Sequence, residues 1–250
     1  MELPVEASLM SPEKATLSLQ NIASKEALLA GLARVDISVP PPSEQRNRQK
    51  EQWAVCRLVS TLAGNDLLTY PLSLLVKSGN ESPDAVLSVP SAMIGLELTT
   101  TPEREFLDAL KKANQKHPEG FLIETSTRGA RFGSPDDETW KFELPPSEGD
   151  EPAKVWADLV AQACSKKLRK LSQPSFQIHD KNWLSIYSVN PIASLINRAL
   201  SLLVPKLFEV WERTPSFDAI FVEDGDKIIC ISVDENGIFS VNDLWINLRK

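Results

Sequence analysis

The chain predicts an α/β or α+β domain: a central mixed sheet flanked by helices, with antiparallel strands towards its C-terminal end. Two observations carry this. Apolar residues recur at helical spacing in several stretches, and between them lie short runs rich in Val, Ile, Leu and Thr. Gly, Pro, Asn and Asp punctuate the boundaries, as turns between packed elements require. At 250 residues and 42% hydrophobic, the chain can bury a sizeable core.

Taken in order, residues 1–21 are polar, contain Pro4 and Pro12, and are expected to be weakly ordered. Residues 24–34 form a short helix with Ser24 as its N-cap. The three prolines at 40–42 make a stiff spacer, and Ser43-Glu44 opens a long helix to about Ala63, with Val55, Leu58, Val59 and Leu62 on one face and Gly64-Asn65 as its stop. Three strands follow, 69–77, 84–89 and 92–99, joined by breaks short enough for hairpins. Pro102 opens a helix over 102–116, with acids in its first turn and lysines near its end, as the macrodipole favours. Residues 119–150 read as a short strand pair and a long loop. Helix 152–171, strand 182–188 and helix 191–212, interrupted by Pro205, come next. Strands at 217–222 and 227–232 meet at Asp224-Gly225, and 238–241 follows Asn236-Gly237. The organisation is an N-terminal segment 1–42, a core over 43–190 and a C-terminal helix-and-strand part, 191–250, which completes the sheet or forms a homodimer contact.

Composition removes several chemistries. With His117 and His179 as the two histidines, His-rich metal hydrolases and most Ser-His-Asp arrangements have little to build on. No phosphate-cradling glycine motif is present. No apolar run reaches the ~18 residues of a membrane span, and the N-terminus has neither the basic nor the apolar region of a secretory signal. Three dispersed cysteines, Cys56, Cys164 and Cys230, fit reduced thiols in a cytoplasmic setting. Of the net charge of −7, the segment 134–151 alone carries −6, so the remainder is close to neutral. Any metal site must use carboxylates and carbonyls, the hard ligands of Mg²⁺ or Mn²⁺.

The chemistry concentrates at Pro83-Asp84 and, with twelve residues between, Glu97-Leu98-Thr99. Asp84 opens one strand and Glu97 lies near the end of the next. In an antiparallel hairpin such positions are neighbours, so the two carboxylates can converge at one edge. With the backbone carbonyl of Leu98 they would make an oxygen site for Mg²⁺, which can activate water and stabilise charge on a phosphodiester.

This string, set in the order helix, three-stranded meander, helix, strand, resembles the PD-(D/E)XK nuclease superfamily over roughly residues 44–190. Ile94-Gly95-Leu96-Glu97-Leu98-Thr99 is similar to the I-G-I-E-V-T string of bacterial members, and the runs Lys167–Leu171 and Trp183–Tyr187 are similar to theirs as well. The resemblance implies a restriction-endonuclease-like core and a Mg²⁺- or Mn²⁺-dependent nuclease acting on nucleic acid, DNA in preference to RNA. It also implies metal ligation by Asp84, Glu97 and Leu98.

One position departs from the pattern. The third motif residue, a lysine in the family, is Thr99, which can hydrogen-bond but supplies no cation. Lys167 continues the apolar stripe Trp156, Val160, Ala163 of its helix, and Lys170 lies one step further, so either can bring the missing charge from the helix. Glu51 shares the inward face of Val55, Leu58 and Leu62, and by the resemblance a helical glutamate there assists the metal.

Plainer readings stand beside these. Asp84 suits a turn, Glu97 a solvent-facing strand position, Thr99–Thr101 the approach to a helix cap, Lys167 and Lys170 a solvated helix end, and Glu51 a helix-surface charge. The alternative function is a catalytically inactive nuclease fold that binds protein or nucleic acid, and the acidic 134–151 segment would suit a DNA mimic.

Overall fold

The computed structural model describes residues 15–35, 47–77, 82–101, 122–126, 129–134, 137–142, 150–188, 192, 195–232 and 236–240. Its elements, in chain order, are β1 (Ala15–Ile22), α1 (Lys25–Ala33), α2 (Asn47–Gly64), β2 (Leu72–Lys77), β3 (Ala85–Val89), β4 (Ala92–Thr101), β5 (Leu122–Ser126), β6 (Gly129–Ser134) and β7 (Asp137–Phe142). They continue with α3 (Glu151–Leu171), β8 (Lys181–Ser188), α4 (Ile196–Trp211), β9 (Ala219–Asp224), β10 (Lys227–Ser232) and β11 (Asn236–Ser240). The helix expected over 102–116, His117 and the proline spacer at 40–42 lie outside the described residues.

Eight strands form one open mixed sheet in the order β1-β2-β3-β4-β8-β9-β10-β11. The first four pair antiparallel, β4–β8 and β8–β9 pair parallel, and β10 and β11 return antiparallel. A parallel neighbour needs a long crossover, and α3 and α4 lie in the crossovers from β4 to β8 and from β8 to β9.

Alternation along the strands divides the core in two. Leu74, Val76, Ala85, Leu87, Leu96 and Leu98 pack with α1 and α2 on one face. Leu184, Ile186, Ile220, Val222, Ile229 and Ile231 pack with α3 and α4 on the other. Phe221 belongs to the first cluster while Ile220 and Val222 belong to the second, the signature of a strand buried on both faces. Helices therefore cover both faces of the sheet.

The structure corrects or refines four expectations. Residues 15–22 form an edge strand paired with β2, with Leu17, Leu19 and Ile22 packed against the first core. The weak pattern has a cause: Asn21, in the left-handed region at φ 52, lies where the β1–β2 register shifts, so the alternation breaks before Ile22. Second, α2 ends at Gly64, but the left-handed capping position is Asp66 (φ 58), with Leu67 N–H donating to Leu62 O (2.9 Å) and Asp66 N–H to Ala63 O (3.1 Å). Lys25 Nζ then holds Asp66 at 2.9 Å and ties α1 to that turn. Third, residues 119–150 contain three strands, not two, and β5-β6-β7 form a sheet of their own. The run Thr139-Trp140-Lys141-Phe142 had been hidden by its acidic neighbours. Fourth, of the two roles expected for the C-terminal strands they take the first and complete the sheet: β10 and β11 pair antiparallel, and β9 joins β8 in parallel.

Candidate functional site

The hairpin β3–β4 pairs Ala85 with Leu96, which sets Asp84 beside Glu97 at the open end of the ladder. Asp84 Oδ2 accepts a hydrogen bond from the Leu98 N–H at 2.7 Å. That bond crosses from the start of one strand to the end of its partner, the geometry the twelve-residue interval anticipates. Leu96 and Leu98 belong to the core under α1 and α2, so Glu97 between them faces α3.

Glu97 is fully buried, at 0% exposure, yet it is charged-residue chemistry in an apolar interior. Two cations from α3 meet it: Lys167 Nζ at 2.6 Å and Lys170 Nζ at 2.5 Å, both on Oε1. Residues three apart on a helix share a face, so both ammonium groups can reach one oxygen. Glu97 Oε2 is buried too, and no hydrogen-bond donor among the described residues reaches it.

The remaining carboxylates sense this arrangement. Burial first, then the charge of Glu97, pushes Asp84 up to about 6, against the opposing Leu98 N–H and Lys167. Half-buried Glu51, near the start of α2, is raised by burial, while Lys167 lowers it and Glu97 raises it again. The structure thus brings Asp84, Glu97, Glu51, Lys167 and Lys170 into one electrostatic cluster. Thr99 lies two residues beyond Glu97 on the same strand, half-buried and opposite Ile186. Among the described residues no group of three or more His, Cys, Asp and Glu is placed to hold a metal ion.

Packing around the cluster is close. A Cβ on Gly95 would lie 2.8 Å from His179 Cδ2 and 3.0 Å from Pro83 Cγ, so only glycine lets the His179 loop approach β4. His179 donates its N–H to Asn182 Oδ1 at 3.2 Å, and its buried Nε2 has no partner among the described residues. Burial and Lys77 lower its pKa, so the ring is neutral at physiological pH. Lys77, buried at the end of β2, donates its N–H to Asp84 O at 2.9 Å and its Nζ to Gln177 at 3.3 Å. Sequence reasoning gave His179 no partner and passed over Lys77. A lysine closing the apolar run Leu72–Val76 is the one signal that pointed to Lys77.

On the opposite face, α2 is anchored by a buried ion pair. Arg57 Nε and its guanidinium nitrogen each lie 2.8 Å from Glu223 Oε1, and Arg57 stacks 4.6 Å from the Trp53 ring centroid. Trp53 in turn meets Tyr187 edge-on at 5.6 Å. The thiols of Cys56 and Cys164 are buried and pushed up to about 12, which leaves them as packing groups.

No family model, no curated protein and no solved structure matches the chain. No helix among the described residues is long and apolar enough to cross a membrane.

Proposed function

We propose that this protein is a metal-dependent nuclease-like phosphodiesterase with a restriction-endonuclease-like core, acting on DNA in preference to RNA in a reducing cytoplasm. The observation that carries it is the convergence of Lys167 and Lys170 on Glu97 beside Asp84, two helical cations where the strand offers Thr99. Asp84, Glu97, the Leu98 carbonyl and Glu51 would hold Mg²⁺ or Mn²⁺. The donor set suits a hard cation in its chemistry: every group is an oxygen, and Glu97 Oε2 is a buried acceptor with no donor among the described residues. The metal supplies an activated water and charge neutralisation at the scissile phosphate. Lys167 and Lys170 hold Glu97 in place and offer positive charge to the phosphate, and Thr99 offers a hydroxyl.

A second reading has its own support. Glu97 already carries two ammonium groups, and no three metal-ligating side chains among the described residues are grouped. On that reading the fold is a catalytically inactive module that binds protein or nucleic acid. Calorimetry with Mg²⁺ and Mn²⁺ separates the two. The nuclease reading expects binding by the wild type, loss of it in Asp84→Ala/Glu97→Ala, and metal-dependent cleavage that the same substitutions abolish. Cleavage that survives both substitutions removes that reading.

A further inference from the structure

Helix α3 carries a second pair of cations one step around from Lys167 and Lys170. Lys166 and Arg169 are exposed and point away from Glu97, into a cavity of about 680 Å³ between α3, the end of β4 and Lys206 of α4. Among the described lining residues the one acid, Asp158, is paired with Lys206 at 2.9 Å, so Lys166 and Arg169 leave that lining positive. Along the β4 wall half-buried Thr99 shares the α3 side of the strand with Glu97, and Thr100, Thr101 and exposed Gln162 complete the described lining there. Ammonium, guanidinium, hydroxyl and amide groups are the chemistry that holds phosphate oxygens.

Two further features narrow the ligand. Among the described residues no aromatic side chain lines the cavity, so they offer no platform on which a base could stack. A cavity of about 680 Å³ is roughly 9 Å across if equant, room for one extended backbone and too narrow to admit a whole duplex, whose major groove alone is ~12 Å wide. Its position adds a direction: Thr99 lies two residues past Glu97, ~7 Å along the strand.

From this geometry we infer that the cavity holds the backbone phosphates of a single nucleic-acid strand, without regard to base sequence, and leads that strand to the Asp84–Glu97 cluster. The binding stands on the cavity alone; its last clause rests on the nuclease reading.

The test is fluorescence anisotropy of the full chain with labelled fifteen-residue oligo-dT and oligo-dA and with a duplex of the same length, without divalent metal, across a salt series. The expected result is binding of both single strands alike and the duplex more weakly. Each cation that meets a phosphate contributes about −0.7 to the slope of log K against log salt. Lys166→Gln/Arg169→Gln is therefore expected to flatten the slope by about 1.4 and to weaken binding roughly tenfold or more at low salt. Gln162→Glu, which sets a carboxylate in the same wall, is expected to weaken it as well. Circular dichroism establishes that each variant is folded. An unchanged slope and affinity in the folded double variant, a duplex bound as tightly as the single strand, or a strong preference between oligo-dT and oligo-dA overturns the inference. Asp84→Asn/Glu97→Gln keeps the two readings apart. Strand binding that persists in this variant, with no cleavage by the wild type, sinks the nuclease and leaves the cavity. Cleavage by the wild type with binding indifferent to Lys166 and Arg169 does the reverse.

Discussion

Lys167 and Glu97, 70 positions apart in the chain, meet at 2.6 Å, and Lys170 converges on the same carboxylate oxygen. Glu97 has no access to water, so its charge depends on these two partners. Removing one lysine leaves the other in place, and the cost is expected to be small. Removing both, as Lys167→Met/Lys170→Met, strands a buried carboxylate and is expected to cost about 3–5 kcal/mol. Glu97→Gln added to that double variant should restore much of the loss. Urea unfolding of the single, double and triple variants gives the coupling directly, and additive effects of the two lysines would contradict the shared-oxygen geometry.

Asp84 links the site to pH. Its folded pKa, about 6, lies above the ordinary value of 3.8, so the folded state retains the proton where the unfolded chain has lost it. Stability therefore falls as pH rises between ~4 and ~6, and the charged carboxylate remains unfavourable above that window. Asp84→Asn keeps an acceptor for the Leu98 N–H and removes the charge. It is expected to melt higher than the wild type at pH 8, with the advantage vanishing near pH 4. A melting difference that is the same at both ends would show that the charge is not the cause.

Gly95 sits two residues before Glu97 with no room for a methyl group. Gly95→Ala must push the His179 ring or Pro83 aside, and overpacking of this kind costs about 1–3 kcal/mol. The companion substitution His179→Ala opens space on one side only, so it is expected to rescue Gly95→Ala in part. Denaturant midpoints of the two single variants and the pair decide it.

The ion pair between Arg57 and Glu223 is buried on both sides, at 8% and 6% side-chain exposure. Glu223→Ala removes the buried carboxylate that both Arg57 nitrogens meet and is expected to cost about 3 kcal/mol or more. A replacement of both partners by Met and Leu should cost far less. Thermal unfolding of the two variants compares them, and equal losses would show that the pair itself, not the stranded charge, supplies the stability.

Local rules sufficed for much of the fold. The apolar stripe of α2, the hairpin β3–β4, the amphipathic α3 and the Asp224-Gly225 turn are all written in periods of 3.6 or 2 and in turn residues. The inward positions of Glu97 and Lys167 follow from the same periods, because a residue's face is set by its neighbours' spacing. The edge strand β1 escaped because a bulge at Asn21 breaks its alternation, and β7 because Asp137 and Glu138 open it and continue an acidic stretch that reads as loop.

By itself the chain determined which residues lie on which face: Asp84 beside Glu97 across one hairpin, Lys167 on the buried stripe of its helix. Only the tertiary structure decided that both lysines choose one oxygen, that Lys77 and His179 crowd the same hairpin, and that β9 joins β8 in parallel. The reason is range. Periodicity and turn chemistry act over a few residues, whereas these contacts require helix α3 and the β8–β9 crossover to settle on a sheet whose strands are brought together by burial, which has no direction and leaves no local mark.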